Sequence, residues 1–348
     1  MGGNTVSKGS GLRAVVAPAA RCVNLRYALR SMPMLRYLLP RSVLVRVLLA
    51  ALVVGGLSTG CTTLEEKERE LTFRAQKADA GWFVSVPESV QDVYLPVSSK
   101  PDAPRIHAWW WPDANPDAPV VYYLHGVRWN LTGNLRRIEQ WRQMGFAVFA
   151  IDYRGFGKSD GDLPSEQMVY EDADAGWQWL VRRQPDPSRR VIYGHSLGGA
   201  VAIDLAARLA EGAPGEGPQA RGLIVESSFT TLADAAAEIT YGWLPTNLIL
   251  TQKFDSIRKI RQVDMPVLVV HGAGDRFLPS RFSEALYRAA PGPKKRLLLV
   301  ENGSHNNSLW VGNGEYKRAV SELFELRDPA PAAGAAPAPG PVAARPTY

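Results

Sequence analysis

Acidic residues are missing from the first 60 positions of this 348-residue chain, where eight cations stand alone: Lys8, Arg13, Arg21, Arg26, Arg30, Arg36, Arg41 and Arg46. Those eight exceed the whole chain's formal net charge of +6, so residues 61–348 sit near −2. A basic excess ordinarily points to nucleic acid or an anionic membrane. Confined to one end, it gives the remainder no nucleic-acid partner. Cysteine is almost as scarce, at Cys22 and Cys61 only, which leaves residues 61–348 without a disulfide of their own. Long apolar runs are lacking too. A spanning helix needs roughly 20 apolar residues, and Val47–Leu57 falls short of that. Phosphate-cradling loops and metal-ligand clusters are absent from the sequence, so no cofactor and no metal are expected. What is present is a 46% hydrophobic content, ample for a buried core.

The leader has its own pattern. Arg36, Arg41 and Arg46 precede the short apolar stretch, and small residues follow it, as in a secretory signal. The stretch ends in Leu57-Ser58-Thr59-Gly60-Cys61. This resembles the lipobox of bacterial lipoproteins, with Ser58 where Leu is usual and Leu57 one place early. The resemblance implies lipidation of Cys61, which gives a lone cysteine in an exported chain a purpose. It also implies a bacterial envelope protein, with Thr62 rather than Asp after the cysteine favouring the outer membrane, facing the periplasm. Residues 1–60 are therefore expected to be a leader, with Met32 or Met34 as alternative starts that would leave 1–31 untranslated. Residues 61–84 are expected to form the anchor and a tether, the charged Glu65–Glu70 stretch being a short helix or spacer.

From about residue 85 to 327 one alternation repeats. Apolar runs predict strands at Val90–Val97, Arg105–Trp111, Val120–Leu124, Ala147–Ile151, Val191–Tyr193, Gly222–Val225, Val267–Val270 and Arg296–Val300. Amphipathic stretches predict helices at Leu131–Met144, Ser165–Arg183, Leu197–Ala210, Arg281–Ala290 and Tyr316–Arg327. Strands alternating with helices mean βαβ units and a mainly parallel sheet of about eight strands, covered on both faces. The first two strands have no helix between them and are expected to form an antiparallel edge. The last 21 residues, Asp328–Tyr348, hold 6 Pro and 8 Ala and predict a disordered tail.

Chemistry concentrates at Val191-Ile192-Tyr193-Gly194-His195-Ser196-Leu197-Gly198-Gly199, a G-x-S-x-G sequence between a strand and an alanine-rich helix. Such a turn presents Ser196 in a strained conformation at a helix N-terminus, where negative charge on the reacting oxygen is favoured. A nucleophilic serine needs a base, and the base an orienting acid. Of five histidines, His195 adjoins Ser196 and should turn away, His107 lies in the edge strand, and His125 and His271 each close a strand. His305 lies in the loop Glu301-Asn302-Gly303-Ser304-His305 after the last strand and is the candidate base. Asp275 follows the preceding strand through Gly272-Ala273-Gly274 and is the candidate acid. All three then sit at the carboxyl ends of strands, where open α/β sheets place their sites.

Over roughly residues 85–327 the chain resembles the α/β-hydrolase superfamily, nearest its small-lidded serine hydrolases, the serine aminopeptidase-like and acyl-protein thioesterase-like proteins. Further matching pieces are His125-Gly126, Asp152-Tyr153-Arg154-Gly155-Phe156-Gly157-Lys158-Ser159, Glu226-Ser227-Ser228-Phe229 and His271-Gly272-x-x-Asp275. The resemblance implies structural roles for His125 and His271, and an oxyanion hole from the backbone N–H groups of Val127 and Leu197. Where many relatives carry Asn or Gly after His-Gly, this chain has Val127-Arg128-Trp129, which narrows the acyl side. Residues 229–263 occupy the position of a cap, read either as a connector packed on the core or as a small apolar lid. Arg128, Trp243 and Leu248 are the expected pocket residues. The implied activity is hydrolysis of a small-molecule or lipid ester or thioester by a monomer, through an acyl-enzyme on Ser196. Two alternatives remain: an aminopeptidase-like serine peptidase, and a catalytically silent envelope scaffold.

Overall fold

The computed structural model describes residues 64–212, 219–240, 242 and 245–326. The leader, Cys61, Trp243 and the tail 328–348 lie outside the described residues.

Eight strands form a single sheet: β1 Gln91–Pro96, β2 Arg105–Trp111, β3 Val120–Leu124, β4 Ala147–Ile151, β5 Arg190–His195, β6 Gly222–Glu226, β7 Val267–Gly272 and β8 Lys295–Val300. Their order is β1-β2-β4-β3-β5-β6-β7-β8. β1 pairs with β2, and β2 with β4, antiparallel; every later pairing is parallel. The expected antiparallel edge is thus present. Strands β3 to β7 are buried along their whole length, which is why they read as unbroken apolar runs instead of alternating ones.

Successive side chains still separate onto two faces. Tyr122, Phe149, Ile192, Val225 and Val269 belong to one core. Val121, Tyr123, Val191, Tyr193 and Leu268 belong to the other. The helices covering these faces are α1 (64–73), α2 Leu131–Gln143, α3 Glu166–Arg183, α4 Leu197–Ala210, α5 Leu232–Ile239, α6 Thr246–Ile249, α7 Ser256–Lys259, α8 Arg281–Ala289, α9 Ser308–Val311 and α10 Asn313–Leu323. Local chemistry fixes several starts. Asn130, Ser165 and Thr231 cap α2, α3 and α5, their side chains accepting from the N–H of Thr132, Met168 and Asp234. Each such cap contributes about 1 kcal/mol. None of the described helices is long and apolar enough to cross a membrane.

Two expectations need correcting. The tether at 61–84 does not hold from residue 64 onward, because that segment packs on the sheet domain. Phe73 is fully buried, and Glu68 accepts from the Thr251 and Gln252 N–H groups at 2.8 Å. Arg69 Nε donates to the Pro164 carbonyl at 2.8 Å, and the Ala80 N–H to Thr132 Oγ1 at 2.9 Å. The charged surface of α1 hides this docking in the sequence, since Glu68 is satisfied by backbone donors far away in the chain. The expected pocket residue Leu248, on α6, is 80% exposed instead of lining an enclosed pocket. Within the expected cap, Phe254, Ile260 and Val263 are core residues, so the connector reading holds for that part.

Candidate active site

Ser196 stands between β5 and α4 with φ 56° and ψ −122°, outside the comfortable regions for a residue bearing a Cβ. The turn has room only for glycine around it. A Cβ on Gly194 would meet the Gly198 carbonyl oxygen at 2.1 Å, and one on Gly198 would meet that of Leu124 at the same distance. Ser196 donates its N–H to the Glu226 carbonyl at 2.9 Å, tying the turn to the neighbouring strand. Its hydroxyl makes no capping bond to the helix, which leaves it free for other work.

That hydroxyl lies 3.1 Å from His305 Nε2, and His305 Nδ1 lies 2.7 Å from Asp275 Oδ2. The three residues singled out in the sequence are therefore brought together in a continuous relay. Asp275 accepts from the Phe277 N–H at 2.8 Å and the Leu278 N–H at 3.0 Å, and His271 Nε2 lies 3.3 Å from it. Burial alone would raise its pKa, but the bonds from His271, His305 and the Leu278 N–H outweigh it, holding the carboxyl well below the usual carboxylate range. Asp275 is thus an anion facing His305 Nδ1–H. This sets Nε2 as the acceptor that looks at Ser196.

The other histidines take the roles expected of them. His195 turns its ring away from the Ser196 hydroxyl, and its Nε2 donates to the His305 carbonyl at 2.8 Å. Burial, then the charge of Arg137, push the His195 pKa well below its ordinary value, so the ring is neutral. His271 bonds the Leu278 carbonyl at 2.8 Å and Ser283 Oγ at 2.7 Å. His125 lies 3.3 Å from Asp152, and His107 bonds Asp92 on the edge strand.

Gly126 is packed against the nucleophile, since a Cβ there would come within 3.1 Å of Ser196 Cβ. Val127 is therefore beside Ser196. Neither the Val127 N–H nor the Leu197 N–H has an acceptor among the described residues. Two backbone donors next to a serine hydroxyl, both without an acceptor, fit an oxyanion site. Arg128 follows at φ 75° with its N–H on the Phe73 carbonyl at 2.9 Å, and its side chain is exposed. Phe277, which the sequence reading did not single out, places its ring 5.6 Å from that of His305 while remaining mostly exposed. Its only sequence signal is its place two residues after Asp275. Trp82 packs edge-on against Trp129 at 4.6 Å, so the 64–84 segment also borders this loop.

A separate cavity of about 550 Å³ is lined by Glu166, Tyr170, Asp174, Asp204, Arg208 and Lys259 among others, and includes no triad member. Its charges are paired with one another, Lys259 with Asp204 at 2.6 Å and Arg208 with Asp204 at 2.8 Å. Among the described residues no group of three or more His, Cys, Asp or Glu is placed to hold a metal ion.

Comparison with known proteins agrees with this architecture. The family of serine aminopeptidases, S33, matches residues 115–254. An uncharacterized protein of Mycobacterium tuberculosis is 32% identical over 263 residues, covering 75% of this chain and 87% of that protein. The lysophosphatidylserine lipase ABHD12 of Danio rerio is 33% identical over 191 residues, covering 51% of this chain and 48% of that one. The esterase Pf2001 of Pyrococcus furiosus shares the fold, with a TM-score of 0.53 at 22% identity, over 72% of this chain and 98% of that structure. A sheet of this order with its serine on the β5–α4 turn, and a relative matched along most of its length, lead to one assignment: the chain belongs to the α/β-hydrolase superfamily.

Proposed function

We propose that the protein is a serine hydrolase that cleaves a carboxylic ester or thioester through an acyl-enzyme on Ser196. The observation that carries this reading is the unbroken relay from Ser196 Oγ to His305 at 3.1 Å and on to Asp275 at 2.7 Å. In the reaction His305 Nε2 takes the Ser196 proton as Oγ attacks the carbonyl carbon. Asp275 keeps the proton on Nδ1 and stabilises the imidazolium that forms. The Val127 and Leu197 N–H groups receive the developing oxyanion. His305 then protonates the leaving alcohol or thiol, and water, activated by the same histidine, releases the acid.

The matched relatives include a protein described as a lipase and a structure described as an esterase, which supports an ester over an amide. The family description names aminopeptidases, and that reading requires a carboxylate to hold the substrate's amine. The carboxylate paired with His305 is Asp275, already engaged by the His305, Phe277 and Leu278 N–H groups. The full chain, purified in detergent, is expected to be labelled by a fluorophosphonate on Ser196. It is also expected to hydrolyse aryl and acyl-glycerol esters faster than aminoacyl amides. Absence of labelling would sink the reading, and faster amide cleavage would transfer it to the peptidases.

The same reading includes export and lipidation at Cys61, supported by the basic leader, the short apolar stretch and the Leu-Ser-Thr-Gly-Cys sequence. A clickable fatty acid fed to the bacterium is expected to label the wild-type protein and not Cys61→Ser. Equal labelling of both would refute it.

A further inference from the structure

Behind Ser196 and His305 lies a polar cluster that the proposed relay does not use. Glu226, at the end of β6, is fully buried. Its carboxylate accepts from Arg137 Nη1 at 2.6 Å, Tyr193 OH at 2.9 Å and Tyr316 OH at 3.0 Å. Arg137, on α2 and 5% exposed, donates through its other terminal nitrogen, Nη2, to the backbone carbonyl of Asn306 at 2.9 Å. The Glu226 backbone carbonyl is the acceptor of the Ser196 N–H. One residue earlier in the base loop, the His305 carbonyl is held by His195. Two successive carbonyls of that loop are therefore fixed by side chains rooted in β5 and α2, and the same cluster touches the nucleophile's own backbone.

Stability alone is a poor reason for such an arrangement. Burying an ion pair costs desolvation that an apolar cluster of similar volume avoids, and such replacements are often neutral or stabilising. An apolar cluster has no donor for the Asn306 carbonyl. The loop around His305 has no strand or helix of its own between β8 and α9, so its placement depends on bonds of this kind. A displacement of about 1 Å of a reacting group costs on the order of 10²-fold in rate.

We infer that Arg137, held in line by Glu226, is a positioning residue: it fixes the Asn306 carbonyl and thereby the reach of His305 Nε2 to Ser196 Oγ. This rests on the serine-hydrolase reading above. Arg137 touches neither substrate nor the reacting atoms.

Two variants of the full chain test it. Arg137→Met/Glu226→Gln removes both charges together, so no unpaired ion is left buried. Arg137→Lys keeps a cation for Glu226, but one ammonium does not reproduce the two-direction fork that spans Glu226 and Asn306. For each, thermal unfolding, fluorophosphonate labelling rate, kcat and KM for an aryl ester, and the low-field proton resonance of the His305–Asp275 hydrogen bond are measured. Cooperative unfolding is expected to persist, with kcat and labelling rate down about 10- to 100-fold. KM should stay within about twofold, as expected when only transition-state geometry is lost. The low-field resonance should broaden or shift, which loss of stability at a distance would not produce. A folded Arg137→Lys protein with wild-type kcat and an unmoved resonance would overturn the inference, and that variant decides the matter should the double variant fail to fold. Wild-type protein that is not labelled at Ser196 would overturn the hydrolase reading and this inference together. Labelled wild type with unaffected variants would overturn the positioning role alone.

Discussion

Ser196→Ala is expected to lower kcat for an aryl ester by about 10⁴- to 10⁶-fold, with the fold intact. The geometry separates chemistry from structure at this residue. Its backbone N–H remains on the Glu226 carbonyl whatever the side chain. Its hydroxyl caps nothing in α4 and faces His305. Alanine carries the same Cβ through φ 56°, so no new clash arises at a turn whose crowding comes from Gly194 and Gly198. His305→Ala should fall by a similar factor, and the double variant no further than either single, because the two act as one unit. The check is steady-state hydrolysis alongside thermal unfolding of the purified proteins. Near-wild-type hydrolysis by Ser196→Ala would rule out an acyl-enzyme on this serine.

Much of this site could be read from the chain because each of its parts rests on a local rule. The G-x-S-x-G turn declares itself by two positions with no room for a Cβ, at Gly194 and Gly198. Asp275 and His305 declare themselves by standing just beyond apolar runs, where a parallel sheet ends. The five fully buried strands β3 to β7 gave the strongest pattern of all, since burial on both faces demands continuous apolar residues.

What stayed hidden depends on contacts distant in sequence. Helix α1 looks like a solvated spacer because Glu68 finds its donors at Thr251 and Gln252. Arg137 looks like any surface cation of an amphipathic helix, yet it is paired with a glutamate on β6. Leu248 looks like a lid residue from composition, yet on the four-residue α6 it is 80% exposed. Phe277 borders His305 because the backbone bends back to bond Asp275, a consequence of turn geometry that apolar periodicity does not report.

Asp275→Asn is expected to cost about 10⁴-fold in kcat, as when an orienting acid is made an amide in other triads. The reason lies in the count of donors around this side chain. His305 Nδ1–H, Phe277 N–H and Leu278 N–H all point at the carboxylate, which as an anion only accepts, and His271 Nε2 lies 3.3 Å from it. An amide has one oxygen. If that oxygen takes the two backbone donors, the NH₂ group faces His305 and favours the tautomer with the proton on Nε2. That tautomer has no lone pair for the Ser196 proton. If the oxygen turns to His305, the NH₂ confronts the Phe277 and Leu278 N–H groups and the turn is destabilised. Either arrangement loses activity, with KM little changed, and labelling by a fluorophosphonate should fall in parallel. The same carboxylate governs a pH effect. Because its folded pKa is depressed, its contribution to stability is fully present above the unfolded value, near pH 4. That contribution is lost as pH falls through the lower folded value. The stability gap between wild type and Asp275→Asn should therefore be widest at neutral pH and narrow below about pH 4, as measured by denaturant unfolding at pH 7 and pH 3. A gap unchanged with pH, or a kcat within tenfold of wild type, would show that Asp275 is not the ionised partner of His305.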